Sequence, residues 1–157
     1  MKTLLLPILV GCGTLFPLAQ SHAAEPASTT YGGFTPGQRF VLTVTDRTST
    51  KTRGSKVTDD APVPDGIPDY PIGKKVLFIV GPKGQLTHPG YSIIFRREEG
   101  DVNFYANKPT FSKPSGSAAT ITKNSSEKPI AGTLTFSRFH FSGFVPVTNT
   151  VTYVLEK

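Results

Sequence analysis

One short segment in the middle of the chain has the residue types of a metal-binding loop. Residues 65–69 read DGIPD, and Asp59 and Asp60 lie a few positions earlier. Calcium takes roughly six to eight oxygen ligands in proteins, many of them from Asp carboxylates in short loops. Asp65 and Asp69 are therefore candidate calcium ligands.

The segment resembles the centre of the Asp-rich calcium-binding repeats of thrombospondin type 3 and related bacterial linkers. Their loops read Asp-x-Asp-x-Asp-Gly-Ile-Pro-Asp and close with an acid three residues later. Residues 65–69 match, but Ala61 and Val63 stand at the first two ligand positions and Ile72 at the closing one. The loop alone then offers too few oxygens for calcium. The simpler interpretation is a turn with solvated aspartates, so no metal or other cofactor is predicted.

The side chains that could act as acids or bases form no recognisable catalytic group. The mature chain has two histidines, His88 and His140, which are far apart in sequence. Glu98 and Asp101 lie at one predicted hairpin turn, where charges normally face water. We therefore predict a protein that is not an enzyme. A small hydrolase or isomerase on a barrel is an alternative that needs a pocket uniting two or more of these groups.

A basic rim with aromatic side chains is the better candidate for a binding site. Its predicted members are Tyr70, Lys74, Arg96, Arg97, Phe111 and His140. Clustered cations attract anionic polymers, and aromatic rings add stacking surface. The predicted partners are an acidic glycan or an anionic lipid. Nucleic acid is not expected, because the N-terminus indicates export.

A small apolar ligand is the second candidate. The chain contains 11 Phe and 5 Tyr. An eight-stranded barrel can enclose one small ligand, as lipocalins do. The same rings can instead fill the interior of the fold.

The first 23 residues predict a secretion signal. Lys2 gives a positive start, residues 4–19 are mostly apolar, and residues 21–23 offer small side chains for cleavage. The apolar run is too short and too interrupted by Pro and Gly for a transmembrane segment. We expect a periplasmic or extracellular protein. As an alternative, residues 9–12 (LVGC) resemble a bacterial lipobox, which would anchor the chain through Cys12.

Cleavage after residue 23 would remove the single cysteine, so no disulfide is expected. It would also remove one of the 17 basic residues. The mature chain would then have 16 basic against 11 acidic residues, a net charge of +5.

The rest of the sequence predicts short β-strands and no substantial helix. The clearest are residues 147–155, where larger side chains alternate with threonine, and residues 132–142, which form a hairpin with them. Further strands are predicted over residues 38–48, 75–80, 91–96, 102–106 and 117–123. Residues 49–74 are predicted to be a long irregular loop with a short strand near 51–57.

In the strand 132–142 the apolar side chains change parity. Leu134 and Phe136 share one face, whereas Phe139 and Phe141 share the other. Two explanations are open: a β-bulge near Ser137, or a strand that is buried on both faces.

The predicted fold is all-β: a single-domain antiparallel barrel or sandwich of about seven or eight strands, preferably an up-and-down meander. Residues 24–37 form an irregular lead-in, in which Tyr31 and Phe34 cover one end of the core, and residues 38–157 form the domain. We expect a small exported binding or interaction module whose ligand face includes the 49–74 loop. The alternative is a structural component of a cell-envelope or extracellular assembly.

Overall fold

The structure is a computed structural model that describes residues 30–88, 95–97, 103–106 and 115–157. The regular structure in these ranges consists of nine strands: β1 (Arg39–Arg53), β2 (Lys56–Asp59), β3 (Lys75–Val80), β4 (Gln85–Thr87), β5 (Phe95–Arg97), β6 (Asn103–Ala106), β7 (Gly116–Lys123), β8 (Pro129–Ser142) and β9 (Val145–Glu156). All belong to one antiparallel sheet, which confirms the predicted all-β fold. In the described part of the chain, no helix is long and apolar enough to cross a membrane.

The sheet curls until its strand pairings close on themselves. Each strand from β3 to β8 pairs with the next one along the chain, which is the predicted meander. β1 pairs with β3 through residues 39–43 and with β9 through residues 43–53, so it joins the two ends of the sheet. The cycle contains every strand except β2, which pairs with the last part of β1. A single sheet closed in this way is a small barrel rather than a two-sheet sandwich.

The interior of the barrel is occupied by side chains. The alternating positions Val147, Val151, Tyr153 and Leu155 of β9 are all buried, as the sequence predicts. The fully buried side chains of largest volume come from the lead-in and from six strands: Phe34, Leu42, Val44, Phe78, Leu86, Ile121, Leu134, Phe136, Tyr153 and Leu155. A small eight-stranded barrel has an interior of about the size that side chains fill.

The lead-in before β1 covers one end of this core. Phe34 is 0% exposed, and its ring stacks on Phe40 with 5.6 Å between the centroids. The ammonium group of Lys123 lies 4.2 Å from the centre of the Phe34 ring and also bonds the carbonyl of Gly32. The predicted role of Phe34 as a cover is confirmed.

In the N-terminal half of the domain, the structure differs from the sequence prediction in three respects. β1 continues to Arg53 instead of ending at Thr48, and the short strand predicted near 51–57 is divided between β1 and β2. The irregular segment is accordingly residues 60–74. The sequence pattern does not indicate β4, because three residues directly after the turn at 81–84 are too few to show an alternation.

The change of parity in β8 has neither of the two predicted causes. The register between β8 and β9 runs without a shift from Ala131 to Ser142, so there is no bulge at Ser137. Phe141 is 64% exposed, so the strand is not buried on both faces there. β7 pairs with β8 only as far as Ser137, and the phenylalanines beyond it lie on the outer face of a hairpin that leaves the barrel.

The predicted secretion signal, the lipobox and Cys12 lie outside the described residues. Because the chain has one cysteine, it cannot form an internal disulfide.

Candidate anion-binding surface

Residues 60–74 form a loop that is fixed to the strands along its length. At its start the amide of Ala61 donates to the carbonyl of Ser49, at 3.1 Å. At its end the amide of Gly73 donates to the carbonyl of Val44, at 2.8 Å. Three of its side chains pack against the core: Val63, Ile67 and Tyr70. This segment therefore covers part of the barrel interior.

Tyr153 of β9 holds the centre of the loop through its hydroxyl group. The hydroxyl donates to the carbonyl of Pro68 and accepts the amide of Tyr70 at 3.3 Å. The Tyr70 hydroxyl in turn lies 3.1 Å from Nδ1 of the buried His88. Burial raises the pKa of Tyr153, with Asp69 adding to the effect, and burial lowers the pKa of His88. Both groups are thus kept uncharged near neutral pH.

Two small open clefts are both lined in part by Tyr70. The larger has a volume of about 350 Å3 and is lined by Arg47, Tyr70, Pro71 and Ile72. The smaller has a volume of about 180 Å3 and is lined by Tyr70, Lys74, Lys75, Val76, Leu77 and His88. The structure therefore brings together two of the predicted site residues, Tyr70 and Lys74.

The candidate calcium ligands are engaged with arginines. The Asp69 carboxylate forms an ion pair with Arg47 at 2.6 Å, and the backbone oxygen of Asp65 accepts a hydrogen bond from Arg138. Among the described residues, no three His, Cys, Asp or Glu side chains are grouped as metal ligands. The two arginines therefore fix the loop at the positions of the candidate calcium ligands.

Two other predicted rim residues, Arg96 and His140, lie away from Tyr70 and Lys74. Arg96 is exposed and pairs with Gln85 of β4. Gln85 lies near the C-terminal end of β3, whereas Lys74 directly precedes the N-terminal end of that strand. His140 lies on the β8–β9 hairpin. The side chain of Arg97, and Phe111 altogether, are outside the described residues. The described members of the predicted rim therefore lie in separate parts of the barrel.

A different basic surface follows from the strand register at the ends of two hairpins. Directly opposed residues of antiparallel strands point to the same side of the sheet, as do residues two apart on one strand. One row across the sheet contains Arg138, Asn149, Lys51 and Thr58. The next contains His140, Val147, Arg53 and Lys56. The basic side chains of both rows share one side, which we call the basic face: Lys51, Arg53, Lys56, Arg138 and His140.

The basic face has a buried centre and exposed basic side chains at its periphery. Val147 and Asn149 are 1% and 7% exposed, whereas all five basic side chains are exposed. Residues 49–58 and 137–150, which make up the extension that carries this face, contain no Asp or Glu. The nearest acids in the chain, Asp59 and Asp60, come directly after the first segment.

Like charges that face each other in a sheet repel. Arg53 lies directly opposite Lys56. Opposed like charges destabilise a strand pair. An anion placed between them would remove that cost, so the arrangement favours binding of negatively charged groups.

Part of this surface was visible in the sequence. From Arg47 to Arg53 basic residues recur at odd positions, with threonine at the even ones between Thr48 and Thr52. This alternation indicates a strand with one basic face. The partners Lys56 and Arg138 depend on the register and on which strands become neighbours.

No family model, curated protein or solved structure matches the chain.

Acidification is expected to destabilise the protein through His88. Its pKa in the folded protein is lowered from 6.5 by burial, so below pH 6.5 the unfolded chain binds more protons than the folded one. Stability is then lost as the pH falls from 6.5 through the folded pKa. Urea unfolding at a series of pH values should show that the free energy of unfolding decreases less on acidification in His88→Gln than in the wild type. The control is His140→Gln, which removes an exposed imidazole; if it flattens the profile and His88→Gln does not, the prediction is wrong.

Proposed function

We propose that this protein is an exported binding module that holds an anionic polymer on the basic face. The observation that carries the proposal is the register, which places Lys51, Arg53, Lys56, Arg138 and His140 on one side of the extension. Four strands contribute to this side, and the segments that form it contain no acidic residue. A cluster of basic side chains attracts and orients partners of the opposite sign.

The spacing of the cations suits an extended partner. Neighbouring strands are about 4.8 Å apart, and residues two apart on a strand are about 6.6 Å apart. The basic residues lie on β8, β1 and β2, with β9 between β8 and β1, and therefore span roughly 15 Å across the sheet. A chain of regularly spaced carboxylates, sulfates or phosphates can contact several of them together, whereas a single small anion cannot.

The proposal is for binding rather than catalysis. His88 is buried beside Tyr70 at the end of β4, and His140 is exposed on the extension. These two histidines therefore do not share a pocket. Glu98 and Asp101 lie outside the described residues.

The test uses fluorescent heparin as a probe polyanion and measures its anisotropy on titration with the protein. The wild type is expected to bind and to weaken as salt is added, because the cations are exposed. Arg53→Ser/Lys56→Ser should weaken binding about tenfold, since it removes two of the charges that face the polymer.

The matched control is Lys74→Ser/Lys75→Ser, which lowers the net charge equally at a distant place. Lys75 pairs with Thr43 of β1, eight residues before Lys51, or roughly 26 Å along the strand. If the control weakens heparin binding as much as the first variant does, the protein responds only to net charge and the proposal is wrong. It is also wrong if the wild type does not bind.

A further inference from the structure

The end of the β8–β9 hairpin carries aromatic side chains on its outer face. Phe144 is fully exposed in the turn, and Phe141 is 64% exposed. Phe141 also contacts Phe139 edge to face, with 5.1 Å between the ring centroids. We call Phe139, Phe141 and Phe144 the aromatic tip. Single exposed apolar residues are ordinary, but a group of rings at the end of an extension marks a contact surface.

Next to the aromatic tip the outer face of the hairpin is polar. Closer to the barrel the outer face presents hydroxyl groups in pairs, Thr135 with Thr152 and Ser137 with Thr150, each at 3.1 Å. Phe139 follows in the next outward position of β8, and Phe141 in the one after it. The outer face thus changes from polar to aromatic as it leaves the barrel.

The aromatic tip and the basic face meet at the same end of the molecule. Phe139 and Phe141 lie on the side of the sheet opposite to His140, because they alternate with it along β8. The turn of the β1–β2 hairpin lies beside the β8–β9 turn, since the amide of Gly54 donates to the carbonyl of Pro146 at 3.0 Å. Cations from one face and rings from the other therefore reach one shared edge.

The partner must satisfy both kinds of side chain. A hydrophilic polyanion would pair with the cations and leave the rings in water. An apolar protein groove would take the rings and leave the cations without counter-charges. An anionic bilayer surface meets both needs, because apolar side chains enter the boundary between headgroups and acyl chains while Lys and Arg contact the lipid phosphates.

We propose that this edge docks onto anionic lipid bilayers, with Phe141 and Phe144 inserted and Lys51, Arg53 and Lys56 against the phosphates. This inference rests on the proposed function, because the same cations that bind an anionic polymer contact the array of phosphates on a bilayer surface. The contact is peripheral: rings at a hairpin turn reach only the boundary region of the bilayer.

The experiment measures cosedimentation with vesicles of equal parts phosphatidylcholine and phosphatidylglycerol, and with phosphatidylcholine vesicles alone. The wild type should bind the mixed vesicles and not the neutral ones. Phe144→Ser and Phe141→Ser should each weaken vesicle binding roughly tenfold and leave heparin binding unchanged, since neither removes a cation. The control is Ile72→Ser, which removes a 69%-exposed apolar side chain from the 60–74 loop and should bind like the wild type.

Insertion can also be observed directly, because the chain contains no Trp. In Phe144→Trp the new indole is the single one in the protein. Its fluorescence should shift to shorter wavelength when mixed vesicles are added and should not shift with heparin. If neutral vesicles cause an equally large shift, the cations contribute nothing to binding and the proposal is wrong.

The remaining outcomes separate the two proposals. Heparin binding without vesicle binding overturns the lipid inference and leaves the proposed function intact. If the wild type binds neither heparin nor vesicles, both the lipid inference and the proposed function are wrong. If the serine variants bind vesicles normally but abolish a concentration-dependent dimer seen by sedimentation velocity, the aromatic tip contacts a second copy of the chain and the lipid inference is wrong.

Discussion

Replacing Phe34 by alanine is expected to lower the free energy of unfolding by about 3–5 kcal/mol, the usual cost of removing a buried phenylalanine ring. The ring is 0% exposed. It lies at one end of a stack in which Phe40 is 5.6 Å from it and 5.2 Å from Phe78. Its removal also leaves the ammonium group of Lys123 without the ring face 4.2 Å away.

Urea unfolding monitored by circular dichroism measures this loss. The control is Thr35→Ala, which changes the adjacent, exposed residue and should cost less than about 0.5 kcal/mol. Phe34→Leu retains most of the volume and serves as a milder variant if Phe34→Ala does not fold. A change below about 1 kcal/mol for Phe34→Ala would show that the lead-in is not part of the core.

Replacing Tyr153 by phenylalanine should destabilise the protein by roughly 1–3 kcal/mol and loosen the 60–74 loop. The ring is retained, but the carbonyl of Pro68 and the amide of Tyr70 lose their shared hydroxyl partner. Such groups cost more when they are left unpaired inside a protein than a hydrogen bond contributes when it is made. Amide hydrogen exchange should accelerate around Tyr70 and remain unchanged in β8.

The matched control is Tyr31→Phe. The Tyr31 hydroxyl donates to the carbonyl of Pro82 at 3.3 Å in an exposed position, where water can replace it. Its loss should change the stability by less than about 0.5 kcal/mol. Equal effects of the two variants, or unchanged exchange in Tyr153→Phe, would contradict the role given to Tyr153.

The pH dependence at the alkaline end gives a second readout for Tyr153. Burial, with a smaller contribution from Asp69, raises its pKa above 10.0 in the folded protein. The unfolded chain therefore loses the phenolic proton first as the pH rises, and stability falls above pH 10. This part of the alkaline loss should be absent in Tyr153→Phe.

The strands that the sequence predicted well are those that face the barrel interior. In β7 and β9 one set of alternating side chains is buried, so the pattern of apolar residues follows the pleat directly. Beyond Ser137 there is no interior, and the same reasoning fails. The sequence predicts a bulge or a doubly buried strand near Phe139 and Phe141, but these side chains lie on the outside of the extension.

The end of β1 was missed for a related reason. Residues 49–53 contain no large apolar side chain. The strand nevertheless continues to Arg53, because β9 and β2 supply backbone partners on both sides. Strand formation depends on such neighbours more than on the residues' own preference. The same dependence hid the basic face, whose members come from strands that only the fold places side by side.

The closure of β1 onto β9 sets the order of events in folding. The hydroxyl of Thr45 bonds the carbonyl of Val154, 109 residues further along the chain. β8 and β9, by contrast, are joined by a tight turn and can form early as a local unit. A nascent chain is made from its N-terminus, so β1 must wait with an unpaired edge until the last strand has been synthesised. Contacts of such long separation slow the search for the native state, and this protein should therefore fold after synthesis and over milliseconds to seconds rather than microseconds.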